Sequence, residues 1–298
     1  MTITIAICGS GFVGSELERY LSKMPDINVV FAPKEFSRSK ALNEIQEEEL
    51  LKFFEHKQPR CIVNVAGPTN IQESMTTPDI YTMDQLEQVK KHALTLQKLA
   101  IKPSYVYLSS GSVYGSTSEF GVDELTPTNP LSPYAHGKIL AEGYLQWAQA
   151  EFEFCSSLYI FRGFSLFSVE YPHRLFRVIY EMLQGLQEPT LYGDGNELRD
   201  FVSVGYFSKI IQKIAVSSTP PLSGLYNLSS GQGLSVHEIC KVATDQSKTE
   251  KEITFNGIIR PGDPRYMVGL NDRLVSKFGL RPNDAMIEIT ELFARSFR

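Results

Sequence analysis

The stretch Thr2-Ile-Thr-Ile-Ala-Ile-Cys8-Gly9-Ser10-Gly11-Phe12-Val13-Gly14 decides the fold. Its first seven residues read as a buried strand, the glycines as a tight turn, and the residues from about Phe12 to Met24 as a helix. Glycines at this spacing let a backbone approach a pyrophosphate closely, and the helix N-terminus behind them offers N–H donors. Gly9, Gly11, Phe12, Val13 and Gly14 are therefore assigned to a dinucleotide. The same pattern also occurs as a plain strand-to-helix turn; its place at the head of an alternating chain decides between the two.

Working outward, strands and helices continue to alternate. Strands are expected at Asn28 to Ala32, Cys61 to Ala66, Ser104 to Ser110 and Phe154 to Arg162. Between them lie a helix opened by Glu47-Glu48-Glu49, read as a solvated first turn, and an amphipathic helix over Asp84 to Ala100. The latter carries Leu86, Val89, Ala93 and Leu96 on one stripe. A proline-punctuated loop, Pro127 to Pro133, precedes a further helix. Such alternation predicts an α/β chain, a Rossmann-type doubly wound parallel sheet. After Ser165, Pro189, Pro220-Pro221 and Pro261-Gly262-Asp263-Pro264 break the rhythm. The expected division is a dinucleotide-binding domain over 1–165 and a smaller α/β substrate-binding lobe over 166–298, with some later segments returning to the first.

Among 298 residues, 29 Lys and Arg stand against 34 Asp and Glu, a net charge of −5. That balance argues against nucleic acid as a partner, since phosphate backbones demand a concentrated positive face. No apolar run approaches the roughly 18 residues of a membrane span. The N-terminus reads as a strand rather than a secretion signal. Cys8, Cys61, Cys155 and Cys240 have neither metal nor disulfide spacing and read as reduced, buried thiols of a cytoplasmic protein. The five histidines are scattered and form no zinc set.

Val65, Ala66 and Gly67, where the third strand ends, are assigned to the same cofactor. An acidic residue closing the second strand would hold the ribose hydroxyls of NAD. Here Pro33-Lys34-Glu35-Phe36-Ser37-Arg38 follows instead. Arg38 with Ser37 suits a 2′-phosphate, which favours NADP over NAD.

Ser132-Pro133-Tyr134-Ala-His-Gly-Lys138 begins a helix, with Ser132 as N-cap and Pro133 in the first turn. Tyr134 and Lys138 then share a face one turn apart. An ammonium beside a phenol is expected to lower the phenol's pKa and suit it to proton exchange at a carbinol. Ser109-Ser110-Gly111-Ser112-Val113-Tyr114-Gly115 closes the preceding strand, in the crevice where open α/β sheets bind ligands. A serine hydroxyl there can hold a substrate oxygen.

These motifs resemble the extended short-chain dehydrogenase/reductases, the NAD(P)-dependent nucleotide-sugar epimerases, dehydratases and ketoreductases. The resemblance implies Ser110 as the catalytic serine, Tyr134 as acid/base and Lys138 as its activator and ribose ligand. It continues through Phe161-Arg162-Gly-Phe164-Ser165, where Ser165 replaces the usual Asn, and through Leu191-Tyr-Gly-Asp-Gly-Asn-Glu-Leu-Arg199-Asp200-Phe201. Tyr226-Asn227-Leu-Ser-Ser-Gly231 and Arg260-Pro-Gly-Asp263 follow in order. Cys8 stands where the family's first turn glycine is usual, and Gly205 where an acid is common. By resemblance Arg199 and Arg260 neutralise the diphosphate of a nucleotide-diphosphate sugar, Ser112 and Ser165 line the sugar site, and the helices over Asp84–Ala100 and Tyr134–Ala150 pair in a homodimer. Asp194 reads as a turn residue, Tyr192 as a support for that turn, His173 as a partly exposed loop residue, and Asp123-Glu124 as a solvated loop.

Gly111-Ser112 stands where dehydratases of this type carry Asp-Glu, and Ser112 where the GDP-fucose synthase type carries cysteine; both reactions are disfavoured. A 4-ketoreductase using NADP is the expected activity. A C4 epimerase with tightly bound NAD is the alternative, and a non-catalytic dinucleotide sensor or assembly module the alternative of another class.

Overall fold

A computed structural model describes residues 2–37, 44–100, 102–170 and 173–298. The first half runs β1 (Ile3–Cys8), α1 (Phe12–Leu21), β2 (Ile27–Phe31), α2 (Lys34–Ser37), α3 (Glu44–Lys57), β3 (Cys61–Asn64), α4 (Ile71–Thr76), α5 (Pro78–Leu96), β4 (Ser104–Ser110), α6 (Pro133–Phe152) and β5 (Ser157–Gly163). The second half runs β6 (Ser165–Phe167), α7 (Arg174–Leu183), β7 (Thr190–Leu191), β8 (Leu198–Ser203), α8 (Val204–Val216), β9 (Gly224–Leu228), β10 (Gly233–Ser235), α9 (Val236–Ser247), β11 (Thr254–Phe255), β12 (Tyr266–Met267), α10 (Asp272–Phe278) and α11 (Ala285–Ser296).

Six strands form one parallel sheet in the order β2-β1-β3-β4-β5-β9. Strand order reverses between β1 and β3, so the crevice beyond their carboxyl ends is where such a sheet takes a ligand. Each inner strand is buried on both faces, and alternate residues serve opposite cores. Ile5, Ile7, Val106, Leu108, Tyr159 and Phe161 pack with α1, α8 and α10. Ala6, Cys8, Tyr105, Tyr107, Leu158 and Ile160 pack with α2, α3, α5 and α6. The sheet therefore recruits α8 and β9 from beyond Ser165.

A smaller sheet, β10-β8-β12 with β6 beside β8, carries α7, α9 and α11 over its own core around Phe167, Phe176, Phe201 and Phe293. Asp200 on β8 is fully buried and accepts from Ser230 N and Oγ, Gly231 N and Gly269 N, tying two loops to this strand. Gly205 has a packing reason: a Cβ there would press on the Tyr20 ring of α1.

Several boundaries differ from expectation. The α5 helix begins at Pro78, six residues early, and Leu86 is only half-buried. Its buried side holds Gln85, Gln88, Lys91 and His92 beside Val89, Ala93 and Leu96; these four bond the Pro68, Ser37, Glu35 and Phe36 carbonyls. The α3 helix starts at Glu44, which moves the acidic triplet into its first and second turns. There Glu47 pairs with Lys98 and Glu48 with Lys52.

One buried ion pair locks α6 to the sheet. Arg162 on β5 meets Glu142 at 2.7 Å, both side chains under a tenth exposed. The Glu142 carboxylate also accepts from Ser109 Oγ, and the guanidinium lies 4.7 Å over the Tyr114 ring. Removing one partner strands the other charge. Arg162→Met is expected to cost about 3–5 kcal/mol in chemical denaturation, and Glu142→Leu at least as much, because Glu142 faces Lys138 as well as Arg162.

Candidate active site

The glycine turn is built for a close approach. Gly9 sits at φ +104°, and a Cβ on it would lie 2.8 Å from the Ala66 backbone; a Cβ on Gly14 would overlap the Gly9 carbonyl. Gly11 caps α1 without a side-chain hydrogen bond, no acid lies in the first turn, and the space above the Gly11 Cα is open. The positive end of the helix thus faces outward without a neutralising group. Phe12 and Val13 are part-buried against the first core.

Val65 N donates to Cys8 O and Ala66 N to Asn64 Oδ1, which brings Val65, Ala66 and Gly67 alongside the turn. Together these residues form a cradle that fits a dinucleotide pyrophosphate. Cys8, where a glycine is usual, is fully buried, and burial pushes its thiol up, so it takes no part in chemistry. Ser37 ends α2, half-buried. Arg38 lies outside the described residues.

Across the crevice, β4 ends at Ser110, whose hydroxyl caps the short 3-10 turn Gly111–Tyr114. Ser110 Oγ accepts from Ser112 Oγ at 2.8 Å and from Ser112 N at 3.2 Å. Its own proton is left free, and Ser110 stands near enough to the Tyr134 phenol to act on it.

Ser132 caps α6 through Ala135 N, and Pro133 occupies the first turn, as the residue order requires. Lys138, one turn beyond Tyr134, is buried with its Nζ donating to Leu108 O at 2.9 Å. That cation stands 5.9 Å from the Tyr134 ring centre and 4.8 Å from that of Tyr107. Burial pushes the Tyr134 phenol above its ordinary value, with the Ser110 hydrogen bond opposing. Burial also brings the Lys138 ammonium down to about 7, with Glu142 opposing. This differs from the expected acidified phenol: burial sets the direction, and the lysine does not offset it.

In the smaller lobe, Ser165 opens β6 and is buried. Arg199 on β8 donates to the Leu198 and Arg265 carbonyls at 2.9 and 3.1 Å, and has no carboxylate within ion-pair distance among the described residues. Arg260 is paired with Asp263 at 2.7 Å and lies 5.1 Å over the Tyr192 ring. Of the two arginines, Arg199 has the charge to offer an anion; Arg260 must first leave Asp263. Asp194 makes the expected turn through Asn196 N and pairs with Arg265.

One loop reading is refined and one corrected. His173, part-exposed and outside the helix as expected, is also the N-cap of α7: its Nδ1 accepts from Leu175 N, and the ring packs edge-on to Phe176 and Phe201. Burial, with Arg199 and Arg174, brings it down to about 4, so the imidazole is neutral. The signal was its place directly before an amphipathic helix. Asp123 is exposed, as expected, and caps Leu125 and Thr126, but Glu124 is half-buried and accepts from Asn227 N at 2.8 Å. Asn227 in turn accepts from Tyr114 OH, linking the loop after Ser112 to the sheet. Among the described residues no group of three His, Cys, Asp or Glu is placed to hold a metal.

A model of the NAD dependent epimerase/dehydratase family matches residues 5–223. The chain is 25% identical to the putative UDP-glucose 4-epimerase of Methanocaldococcus jannaschii, over 92% of this chain and 91% of that one. It is 26% identical to the GDP-6-deoxy-D-mannose reductase of Pseudomonas aeruginosa, over 95% and 93%. In fold it is similar to the structure of RMD from Pseudomonas aeruginosa complexed with NADPH, with TM-score 0.80, 24% identity and 99% of each chain covered. It is also similar to the Thermus thermophilus UDP-glucose 4-epimerase complex with NAD, with TM-score 0.80, 22% identity and coverage of 100% and 99%. On the strength of the glycine cradle, the Ser110, Tyr134 and Lys138 arrangement and a match across most of its length, the chain belongs to the NAD dependent epimerase/dehydratase family.

Proposed function

We propose that this chain is an NAD(P)-dependent oxidoreductase acting on a nucleotide-linked sugar, and specifically a 4-ketoreductase using NADP. The observation that carries the reading is the bonded Ser112–Ser110 hydroxyl pair at the end of β4, together with the buried Tyr134 and Lys138 one turn apart on α6. A bound nicotinamide dinucleotide supplies the hydride. Tyr134 gives its proton to the sugar's carbonyl oxygen as that oxygen gains charge, and Ser110 steadies the same oxygen. Ser112 hydrogen-bonds Ser110 from behind. The Lys138 ammonium stabilises the phenolate left on Tyr134 and offers its remaining N–H groups to the cofactor ribose.

Arg199 holds the diphosphate, joined by Arg260 once it swings from Asp263, while Ser165 faces the sugar and Ser112 acts on it through Ser110. A C4 epimerase holding NAD is the second reading, supported by the likeness to UDP-glucose 4-epimerases. Lys34 and Ser37, in place of an acid that closes β2, favour the reductase.

The buried, unpaired state of Cys8, Cys61, Cys155 and Cys240 supports a reducing compartment, the cytoplasm. Among the described residues no helix is long and apolar enough to cross a membrane. Ile80, Met83 and Leu94 on α5 and Trp147 on α6 are exposed apolar residues, which supports a homodimer through these helices.

With NADPH and a panel of 4-keto nucleotide sugars, one sugar is expected to oxidise the cofactor stoichiometrically. Sugar interconversion without net oxidation would favour the epimerase. Tyr134→Phe is expected to lower kcat by about 10³-fold while the dissociation constant for NADPH stays unchanged. Met83→Glu is expected to convert a dimer to a monomer in sedimentation velocity; a wild-type monomer would remove the dimer.

A further inference from the structure

At the amino ends of the large sheet, opposite the crevice, lies a depression of about 350 Å³ that neither the glycine cradle nor the catalytic groups use. Its wall is built where three strands begin. Arg60 stands directly before β3, Lys102 just before β4, Ser104 as the first residue of β4 and Ser156 directly before β5, while Ser217 caps the end of α8. Backbone bonds fix this grouping: Ser104 N donates to Arg60 O and Ser156 N to Pro103 O, both at 2.9 Å. From Ser104 the strand runs to Ser110, so about 20 Å separates the depression from the catalytic serine.

The side chains that meet here are donors. Arg60 Nη2 donates to Ser217 O at 2.7 Å, at the end of α8. Lys102 Nζ donates to Leu96 O at 3.1 Å and Gln97 O at 2.5 Å, at the end of α5. Cations are common at helix carboxyl ends, and capping alone would account for their presence. It does not account for their charge. The carbonyls they meet carry only the partial charge of a helix end. Among the described residues neither cation has a carboxylate within ion-pair distance. No acid lines the depression, in a chain whose acids outnumber its bases by 34 to 29.

Donors also remain unspent. One N–H of the guanidinium and two of the ammonium are used, which leaves each cation further N–H groups. Ser104 Oγ and Ser156 Oγ lie 3.4 Å apart and share one hydrogen bond, so one of their two protons is left over. Burial pulls the Lys102 ammonium below its ordinary value, a penalty that a bound anion would offset. A guanidinium fork, an ammonium and hydroxyls around one hollow match the several oxygens and double charge of a phosphoryl group better than the single plane of a carboxylate. A hollow of this size also has room for a small organic part.

We propose that this depression is a binding site for a phosphoryl dianion, as inorganic phosphate or as the phosphate group of a small metabolite, held by Arg60, Lys102, Ser104 and Ser156. It is separate from the dinucleotide cradle and from Arg199. The phosphoryl group is the shared chemistry of the two sources.

Isothermal titration calorimetry of the full chain, in buffer free of phosphate and sulfate, tests it with inorganic phosphate and ribose 5-phosphate as separate titrants. The wild type is expected to bind at least one of them with Kd of about 1 mM or tighter. Equal affinities assign the site to the phosphate group alone, and a tighter ribose 5-phosphate to a metabolite; either result supports the site. Arg60→Gln and Lys102→Gln are each expected to weaken binding about tenfold, the worth of one charge-assisted hydrogen bond. Arg60→Lys is expected to recover part of that loss, and Arg199→Gln to leave the affinity unchanged. Thermal melts verify folding, and Arg60→Gln, at an exposed position, decides the matter if Lys102→Gln does not fold. No saturable binding of either titrant by the wild type, or binding that Arg60→Gln leaves intact, would overturn the site. No sugar or dinucleotide enters the measurement, so its outcome leaves the proposed reaction untouched.

Discussion

The 2.9 Å hydrogen bond from Lys138 Nζ to the Leu108 carbonyl holds a buried ammonium against the centre of the sheet, and the catalytic geometry depends on it. An uncompensated charge in that position would be expelled or neutralised. Leu108 O meets one N–H directly, and the Glu142 carboxylate one turn further along α6 supplies opposite charge. Glu142 is itself held by Arg162 and Ser109. Satisfying Lys138 therefore orients the whole first half of α6, and with it the phenol of Tyr134 toward Ser110. Charge compensation comes first, and the reacting groups follow from it.

The same economy appears at the other end of the crevice. The carbonyls of the short α2 take donors from three buried polar residues of α5, Gln88, Lys91 and His92, where an ordinary amphipathic helix would place aliphatic side chains. Gln85 bridges the Pro68 carbonyl and the Tyr107 hydroxyl, continuing the pattern toward the catalytic side. Rigidity at both ends of the crevice is thus carried by hydrogen bonds inside the protein, leaving the open N-terminus of α1 between them for an anion.

What was legible in the chain follows from the range of the forces involved. β4 spans Ser104–Ser110 as expected, and Ser132 and Pro133 open α6 as expected, because strand patterning and N-capping are local. Ser110, Tyr134 and Lys138 meet because a strand end and a helix face were both readable. The Glu142–Arg162 pair, the bond from Asn227 to Glu124 and the α5 network were not. Their partners lie far apart in sequence, and a lone glutamate or histidine on a helix looks the same whether solvated or buried. The shift of Tyr134 was misjudged for a related reason: proximity to lysine was visible in the spacing, desolvation was not. His173 lies before α7, part-exposed as read, but its capping role was missed, although its place before an amphipathic helix marked it.

The central claim is that Tyr134 delivers a proton as hydride passes from the nicotinamide to carbon. The most direct measurement is a single turnover of a 4-keto nucleotide sugar with NADPH deuterated on the transferred position of its nicotinamide. The account predicts one deuterium on sugar carbon for each cofactor oxidised, and none with Tyr134→Phe on the same timescale. Sugar product without deuterium, or label transfer by Tyr134→Phe at the wild-type rate, would contradict it.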